Sequence, residues 1–325
     1  MNITTLSLTA TSTTSTISDV ERDTGVAKET LRVWERRYDF PQPQRDANGE
    51  RVYPLDQVQK LRLVKRLLDL GFRPSKVIRC DVAQLRAMAE QAALDKNKPV
   101  AGAAARPELQ SYLDLCQRHD MDALRRKLSQ ALLVMGLKSF VIDLVAPLTK
   151  LVGEAWASGQ LAVFEEHLYS ESLNNVLRSA IFSMPQAHAN NIGAPRIMLT
   201  TLPQERHGLG LLMTEALCVV EGAHCISLGV QTPLPDIVEA ARVQQIDIIA
   251  LSFSAAMNPR QALDGLIELR ARLPATAELW ASGNSLALQR RAPSFVRVFG
   301  FEQISDVIAQ WRLRQHQRNQ AAPGG

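Results

Sequence analysis

From Arg196 onward, short apolar runs alternate with amphipathic stretches of helical period, and that alternation leaves few folds open. RIMLTTL precedes a helical stretch at 210–221, HCISLG one at 234–244, and IDIIALSFS one at 259–272. ELWASG, a short helix, VRVFG and a last helix at 303–315 complete the series. Apolar strands separated by helices require a parallel sheet with helices on both faces. Ligands of such sheets bind beyond the carboxyl ends of the strands. Three stretches fall there: Glu205-Arg206-His207-Gly208-Leu209-Gly210, Ser252-Phe253-Ser254 and Ser282-Gly283-Asn284. A loop imidazole such as His207 can reach a metal. Glu205 can bond its second nitrogen, orienting the ring and raising its basicity. Gly210 allows close approach at a helix start. Taken alone the loop is a weak signal, because loop histidines are common.

The preceding segment, 107–190, has a different texture. LQSYLDLCQ, ALRRKLSQALLVM, SFVIDLVAPLTKLVGEAW and LAVFEEHLYSESLNNVLRSAIF carry apolar residues at three- and four-residue spacing, which predicts a four-helix bundle. Gly159 ends the third helix and the fourth begins near Leu161, so Trp156 closes one helix while Glu166 and His167 open the next. Glu166, Ser170 and Asn174 form a polar seam. On periodicity alone Trp156 reads as a bundle-core residue and His167 as an ordinary helix histidine. Residues 91–106, QAALDKNKPVAGAAAR, lack apolar periodicity and read as a flexible linker.

The charge sits at the other end. Between Thr16 and Cys80 there are 14 Lys/Arg and 10 Asp/Glu, an excess equal to the whole chain's +4. In TISDVERDTGVAKETLRVWERRY, Ser18 can cap a short helix, Gly25 breaks it, and a second helix runs from Ala27 to Tyr38. Lys28, Arg32 and Arg36 make one cationic stripe on it, with Thr30 nearby, while Leu31, Trp34 and Tyr38 lie on another face. Such a stripe suits phosphates and guanine edges in a major groove. Asn48-Gly49 then predicts a type I′ hairpin, a wing with Arg45 and Arg51 beside it and Tyr53 at its exit. Helices near Leu55–Leu70 and Pro74–Cys80 follow, giving a DNA-binding unit over 16–90. Residues 1–15 and 317–325 read as disordered tails. No run of about 18 uncharged apolar residues suggests a membrane span, and the N-terminus lacks the features of a secretory signal. The four cysteines show no metal spacing, which fits a reduced cytoplasm.

Helix, turn, basic helix and Asn-Gly wing occur in the order of a MerR-type winged helix-turn-helix. TLRVWERRYDFPQPQRDANGERVY resembles that family's pattern across roughly 16–80. The resemblance implies an operator of double-stranded DNA with two-fold character, bound by a homo-oligomer (dimer or tetramer). Over 195–316 the chain resembles the cobalamin-binding α/β domain of methionine synthase and the mutases, a flavodoxin-like, Rossmann-type fold. E-R-H-G-L-G stands for D-x-H-x-x-G; Ser252 follows Gly210 by 42 positions, and Ser282 follows Ser254 by 28. The likeness implies that His207 ligates cobalt from below and that the nucleotide tail lies beside Ser252 and Gly283. Ser254 stands where the family has Leu, and Ser282 where it has the first Gly.

The combination resembles the CarH/LitR-type photoreceptor repressors, whose bundle carries W-x9-E-H around the upper adenosyl group. Trp156, nine residues, then Glu166-His167 match that spacing. The resemblance implies adenosylcobalamin (or another cobalamin) as cofactor, with Trp156 against the upper ligand, Glu166 on its ribose or amine, and His167 supporting that face. Light-sensing relatives carry a histidine after the tryptophan; here the position is Ala157. Three functional classes stay open: a cobalamin- and light-gated repressor, a cofactor-free regulator gated by a protein partner, and a corrinoid enzyme or methyl carrier. A mutase barrel does not fit in 325 residues, and a carrier has no need of residues 16–80.

Overall fold

A computed structural model describes residues 14–69, 72–96, 107–157, 159–185, 193–254, 257–283, 288 and 292–321. The chain divides into two compact units. One holds Met1–Ala104 with Glu154–Ala162; the other holds Ala105–Gly153 with Val163–Gly325.

The first unit is a winged helix-turn-helix: β1 (Thr14–Thr16), α1 (Ile17–Thr24), α2 (Lys28–Tyr38), β2 (Gln44–Arg45), β3 (Arg51–Pro54), α3 (Leu55–Asp69), α4 (Pro74–Val77) and α5 (Val82–Lys96). Thr16, not Ser18, caps α1: its hydroxyl accepts from the Asp19 N–H, and the Asp19 carboxylate accepts from the Thr16 N–H. Gly25 ends α1 at φ 70°, a left-handed value that glycine adopts without strain. Val20, Leu31, Trp34, Leu61, Val64 and Leu85 form one buried core. Asp23 and Arg62 clamp α1 to α3 through a partly buried ion pair at 2.6 Å.

Four local expectations change. Thr14 and Ser15 are not tail, because β1 pairs antiparallel with β3. The wing turn is wider than type I′. The Asp46 side chain accepts from the Asn48 and Glu50 N–H groups, and only Gly49 has positive φ, so the loop spans Asp46–Gly49. The helix expected over Pro74–Cys80 stops at Val77, and a further helix, α5, runs on to Lys96, inside the stretch read as linker. Its alanines give it almost no apolar stripe to detect. Residues 97–106 lie outside the described residues.

The second unit joins the bundle to the sheet. The helices are α6 (Pro107–Gln117), α7 (Met121–Ser139), a π-helical turn (Phe140–Val145), α8 (Ala146–Ala157, whose last turn belongs to the first unit) and α9 (Val163–Ser183). The expected break between the second and third helices survives only as a kink at Gly136, φ 73° and ψ 158°. Met121–Trp156 is long and apolar enough to cross a membrane by length and composition, with mean hydropathy 1.9 in its best window. Phe140, Val141, Leu144, Val145 and Leu148 within it are buried in protein, and Lys138 is held by Glu221 and Ser305. Those apolar residues therefore form a core face.

The sheet comprises β4 (Arg196–Thr200), β5 (His224–Gly229), β6 (Ile248–Phe253), β7 (Glu278–Gly283) and β8 (Val296–Val298), all parallel, in the order β5-β4-β6-β7-β8. That is the flavodoxin-like order, whose switch point lies between the first and third strands. α10 (Leu209–Val220), α11 (Leu234–Val243), α12 (Pro259–Arg272) and α13 (Ile304–Ala321) connect and flank the strands. β6 is buried throughout. α13 runs to Ala321, past the tail boundary expected at 317. Trp280 lies on β7 at 0% exposure and meets Phe299 edge-on.

Gly283 ends β7 at φ 106°, and a Cβ there would sit 2.2 Å from the Phe253 carbonyl oxygen. Gly283→Ala therefore combines a left-handed strain with a backbone clash. It should destabilise the protein by about 3 kcal/mol or more, read as a lower denaturation midpoint of the second unit; an unchanged midpoint would refute the assignment.

Candidate functional site

The loop after β4 carries the expected chemistry. Glu205 is 1% exposed, and its carboxylate accepts from His207 and Ser254. One oxygen takes the His207 N–H at 2.9 Å and its Nδ1–H at 2.6 Å; the other takes the Ser254 N–H and hydroxyl, both at 2.8 Å. Thr201 fixes the loop base, donating from Oγ1 to the Glu205 carbonyl and accepting the Gln231 N–H. The carboxylate thus bridges the ends of β4 and β6 at the switch point.

Burial works to raise the Glu205 carboxyl, but the His207 and Ser254 hydrogen bonds outweigh it and hold the group below its ordinary value. The Glu205 hydrogen bond raises the His207 imidazole against its own partial burial, and the charge of Glu166 on α9 adds to that rise. The His207 side chain is 63% exposed. With Nδ1 engaged, Nε2 is the nitrogen available to a metal.

Gly210, Ser252 and Ser282 line the seam between α10 and the sheet. Ser252 and Ser282 are buried at the ends of β6 and β7. A Cβ on Gly210 would lie 2.8 Å from Ser252 Oγ, and Ser282 Oγ lies 3.1 Å from Thr214 Oγ1 on α10. Glu166 accepts from the Ser170 hydroxyl at 2.6 Å, which links two of the three residues of the expected polar seam on α9. His167 is 70% exposed, 3.7 Å from Glu166. Trp156, in the first unit, has its indole Nε1 shielded from solvent with no acceptor among the described residues.

On α2, Arg32 and Arg36 are exposed, Thr30 is half-buried, and Lys28 pairs with Glu21 at 3.7 Å. Arg45 is exposed on the wing and donates to the Gly49 carbonyl at 2.6 Å. Two of the expected DNA contacts, Tyr53 and Arg51, are also held by Glu35, and of these Arg51 keeps 31% of its side chain exposed. Tyr53 is fully buried and its hydroxyl donates to Glu35 Oε1 at 2.7 Å, while Arg51 Nε donates to Glu35 Oε2 at 3.0 Å. Burial and the neighbouring Glu35 push the Tyr53 phenol far above its ordinary value. No local signal in the sequence marks Glu35, because its two partners lie 16 and 18 residues away.

Residues 15–81 match the MerR HTH family regulatory proteins, and residues 108–180 match a B12 binding domain. The HTH-type transcriptional repressor CarH of Myxococcus xanthus is 31% identical over 80% of this chain and 85% of its own length. The chain belongs to the CarH family of MerR-type repressors. The repressor CarA of the same organism is 29% identical over 75% of this chain and 78% of its own. The monomethylamine corrinoid protein of Methanosarcina barkeri shares the fold of 64% of this chain, over 100% of its own length, at TM-score 0.50 and 14% identity.

The chain is thus a DNA-binding regulator, not an enzyme, and its match to a B12 binding domain points to a cobalamin as the group it takes. The donor set fits that group: a neutral imidazole whose second nitrogen is held by a buried carboxylate is a strong metal ligand. Small residues, Gly210, Thr214, Ser252 and Ser282, line the seam between α10 and the sheet.

The His207–Glu205 pair has a definite pH signature. Because the folded state raises His207, its contribution to stability is complete below the unfolded imidazole value of about 6.5 and fades as pH rises through the folded value. In Glu205→Gln the His207 imidazole should titrate at lower pH than in the wild type, followed by NMR of the ligand-free protein. Equal titration midpoints would show that Glu205 does not act on the ring.

Proposed function

We propose that the chain represses transcription in the cytoplasm from a two-fold operator, and that adenosylcobalamin, and light acting on it, set its hold on DNA. The observation that carries this reading is His207: exposed, at the switch point of the sheet, with Nδ1 committed to a buried carboxylate. His207 would hold cobalt through Nε2, and Glu205 and Ser254 would fix the angle of the ring. A bound adenosylcobalamin supplies a light-labile cobalt–carbon bond. On the W-x9-E-H spacing, Trp156, Glu166 and His167 would flank its upper ligand, with the Trp156 N–H and the Glu166 carboxylate as polar groups. Arg32 and Arg36 would enter the major groove, with Arg45 on the backbone beside it. Two-fold pairing of copies, as a dimer or tetramer, would match the two half-sites.

A second reading, a cofactor-free regulator gated by a protein partner, rests on the Thr214–Ser282 contact, which closes the seam at α10. Cofactor uptake separates the two. Adenosylcobalamin mixed with the protein in the dark should survive desalting with the spectrum of a histidine-ligated, base-off corrinoid, and His207→Ala should abolish that spectrum. Colour lost on desalting of the wild type would favour the second reading. Because Ala157 replaces a histidine, illumination should produce no stable bis-imidazole spectrum; its appearance would show that another residue takes the upper position. Arg32→Ala should weaken operator binding by about 1–3 kcal/mol and relax specificity at one base pair; a uniform loss on all sequences would reassign Arg32 to phosphate contact.

A further inference from the structure

The winged unit contains a basic cleft beside α2, apart from the wing. It lies where the C-terminal end of α2 meets α3 and the turn after α4, with a volume of about 640 Å³. Arg36, Arg37, Lys60 and Arg79 line it, with Phe40 as an aromatic wall and Asp39 as its acid. Among the described residues none of the four cations makes an ion pair. Arg36, Arg37 and Arg79 are exposed. Lys60 is held in place: its ammonium lies 4.2 Å from the centre of the Phe40 ring. Burial lowers the Lys60 ammonium despite the pull of Cys80 and Asp81. Asp39 is turned to other work, accepting from the Gln42 side chain at 3.0 Å.

Four cations around a hollow outnumber the two acids near it, Asp39, already engaged by Gln42, and Asp81, which pulls on Lys60, and an anion between them relieves their repulsion. Guanidinium forks beside an ammonium suit phosphoryl oxygens. The cleft begins at Arg36, the last member of the cationic stripe on α2. We propose that Arg37, Lys60 and Arg79, with Arg36 at the rim, form a phosphate clamp that grips the DNA backbone flanking the groove entered by α2. This rests on the reading of α2 as the DNA-reading helix. The clamp would position the protein without reading sequence, because phosphates carry none.

The test uses the full chain, the duplex it selects from a random pool, and a random-sequence duplex of about three helical turns. Affinities are measured over a series of salt concentrations for the wild type, Arg79→Ala and Lys60→Gln. Each variant should bind both duplexes about 3- to 10-fold more weakly, by the same factor on each. Each should flatten the dependence of log affinity on log salt by about 0.9 for every phosphate that is no longer neutralised. Unchanged affinity and slope in Arg79→Ala would overturn the clamp. A loss confined to the selected duplex would overturn it too, by making the cleft a base reader. Circular dichroism of each variant guards against misfolding; Arg79 is exposed, and its removal leaves the core intact. Pyrophosphate provides the other arm. If it stabilises the wild type but not Arg79→Ala while DNA binding is the same in both, the cleft serves a free phosphoryl compound and the duplex assignment falls. A wild type that binds selected and random duplexes equally would defeat the regulator reading, yet the salt slopes would still decide the clamp.

Discussion

One buried carboxylate organises the sheet end of this molecule. Glu205 takes two hydrogen bonds from His207 and two from Ser254 at the end of the neighbouring strand. A buried carboxylate short of partners is costly, so the fold must keep all these donors in place. Satisfying the charge therefore also fixes the loop, the ring angle of His207 and the registration of β4 beside β6. The serine at 254 belongs to this arrangement: its hydroxyl supplies one of the donors, which a leucine does not have.

The sheet is almost fully legible in the sequence. Strands and helices between 196 and 272 fall within a residue or two of their expected bounds, because apolar runs and helical periods there are strong and the turns carry Gly, Pro or Asn. Legibility fails where local signals are weak. β1 is Thr-Ser-Thr and acquires its strand character only from pairing with β3. α5 is alanine-rich and shows little periodicity. The type I′ turn is overruled by Asp46, whose side chain claims the N–H groups that the tighter turn would arrange differently.

Site residues follow the same division. His207 and Glu205 are two positions apart, so their partnership is visible locally. Ser254 is visible as a departure from a family pattern, but its bond to Glu205 crosses 49 positions and needs the fold. Aromatic and cationic residues beside a wing suggest DNA contacts, as Tyr53 and Arg51 do; their capture by Glu35 is a tertiary fact. The cleft residues Arg37, Lys60 and Arg79 come from three different parts of the winged unit, and no spacing links them.

The Glu35 brace has a consequence for how any signal can reach the DNA. A single carboxylate on α2 holds both the strand and the arginine at the base of the wing, and Tyr53, one of its two partners, is sealed in the core. Helix and wing are thereby welded into one gauge of fixed shape. Such a gauge resists being bent into a weaker version of itself. On the proposed pairing of copies, a signal would act more readily on how many gauges are tethered together, because a second foothold on the same duplex would multiply the first through its high local concentration. Control by tethering would then be steep: losing one foothold would cost the whole advantage of the pair, while each head would keep its own reading of the groove.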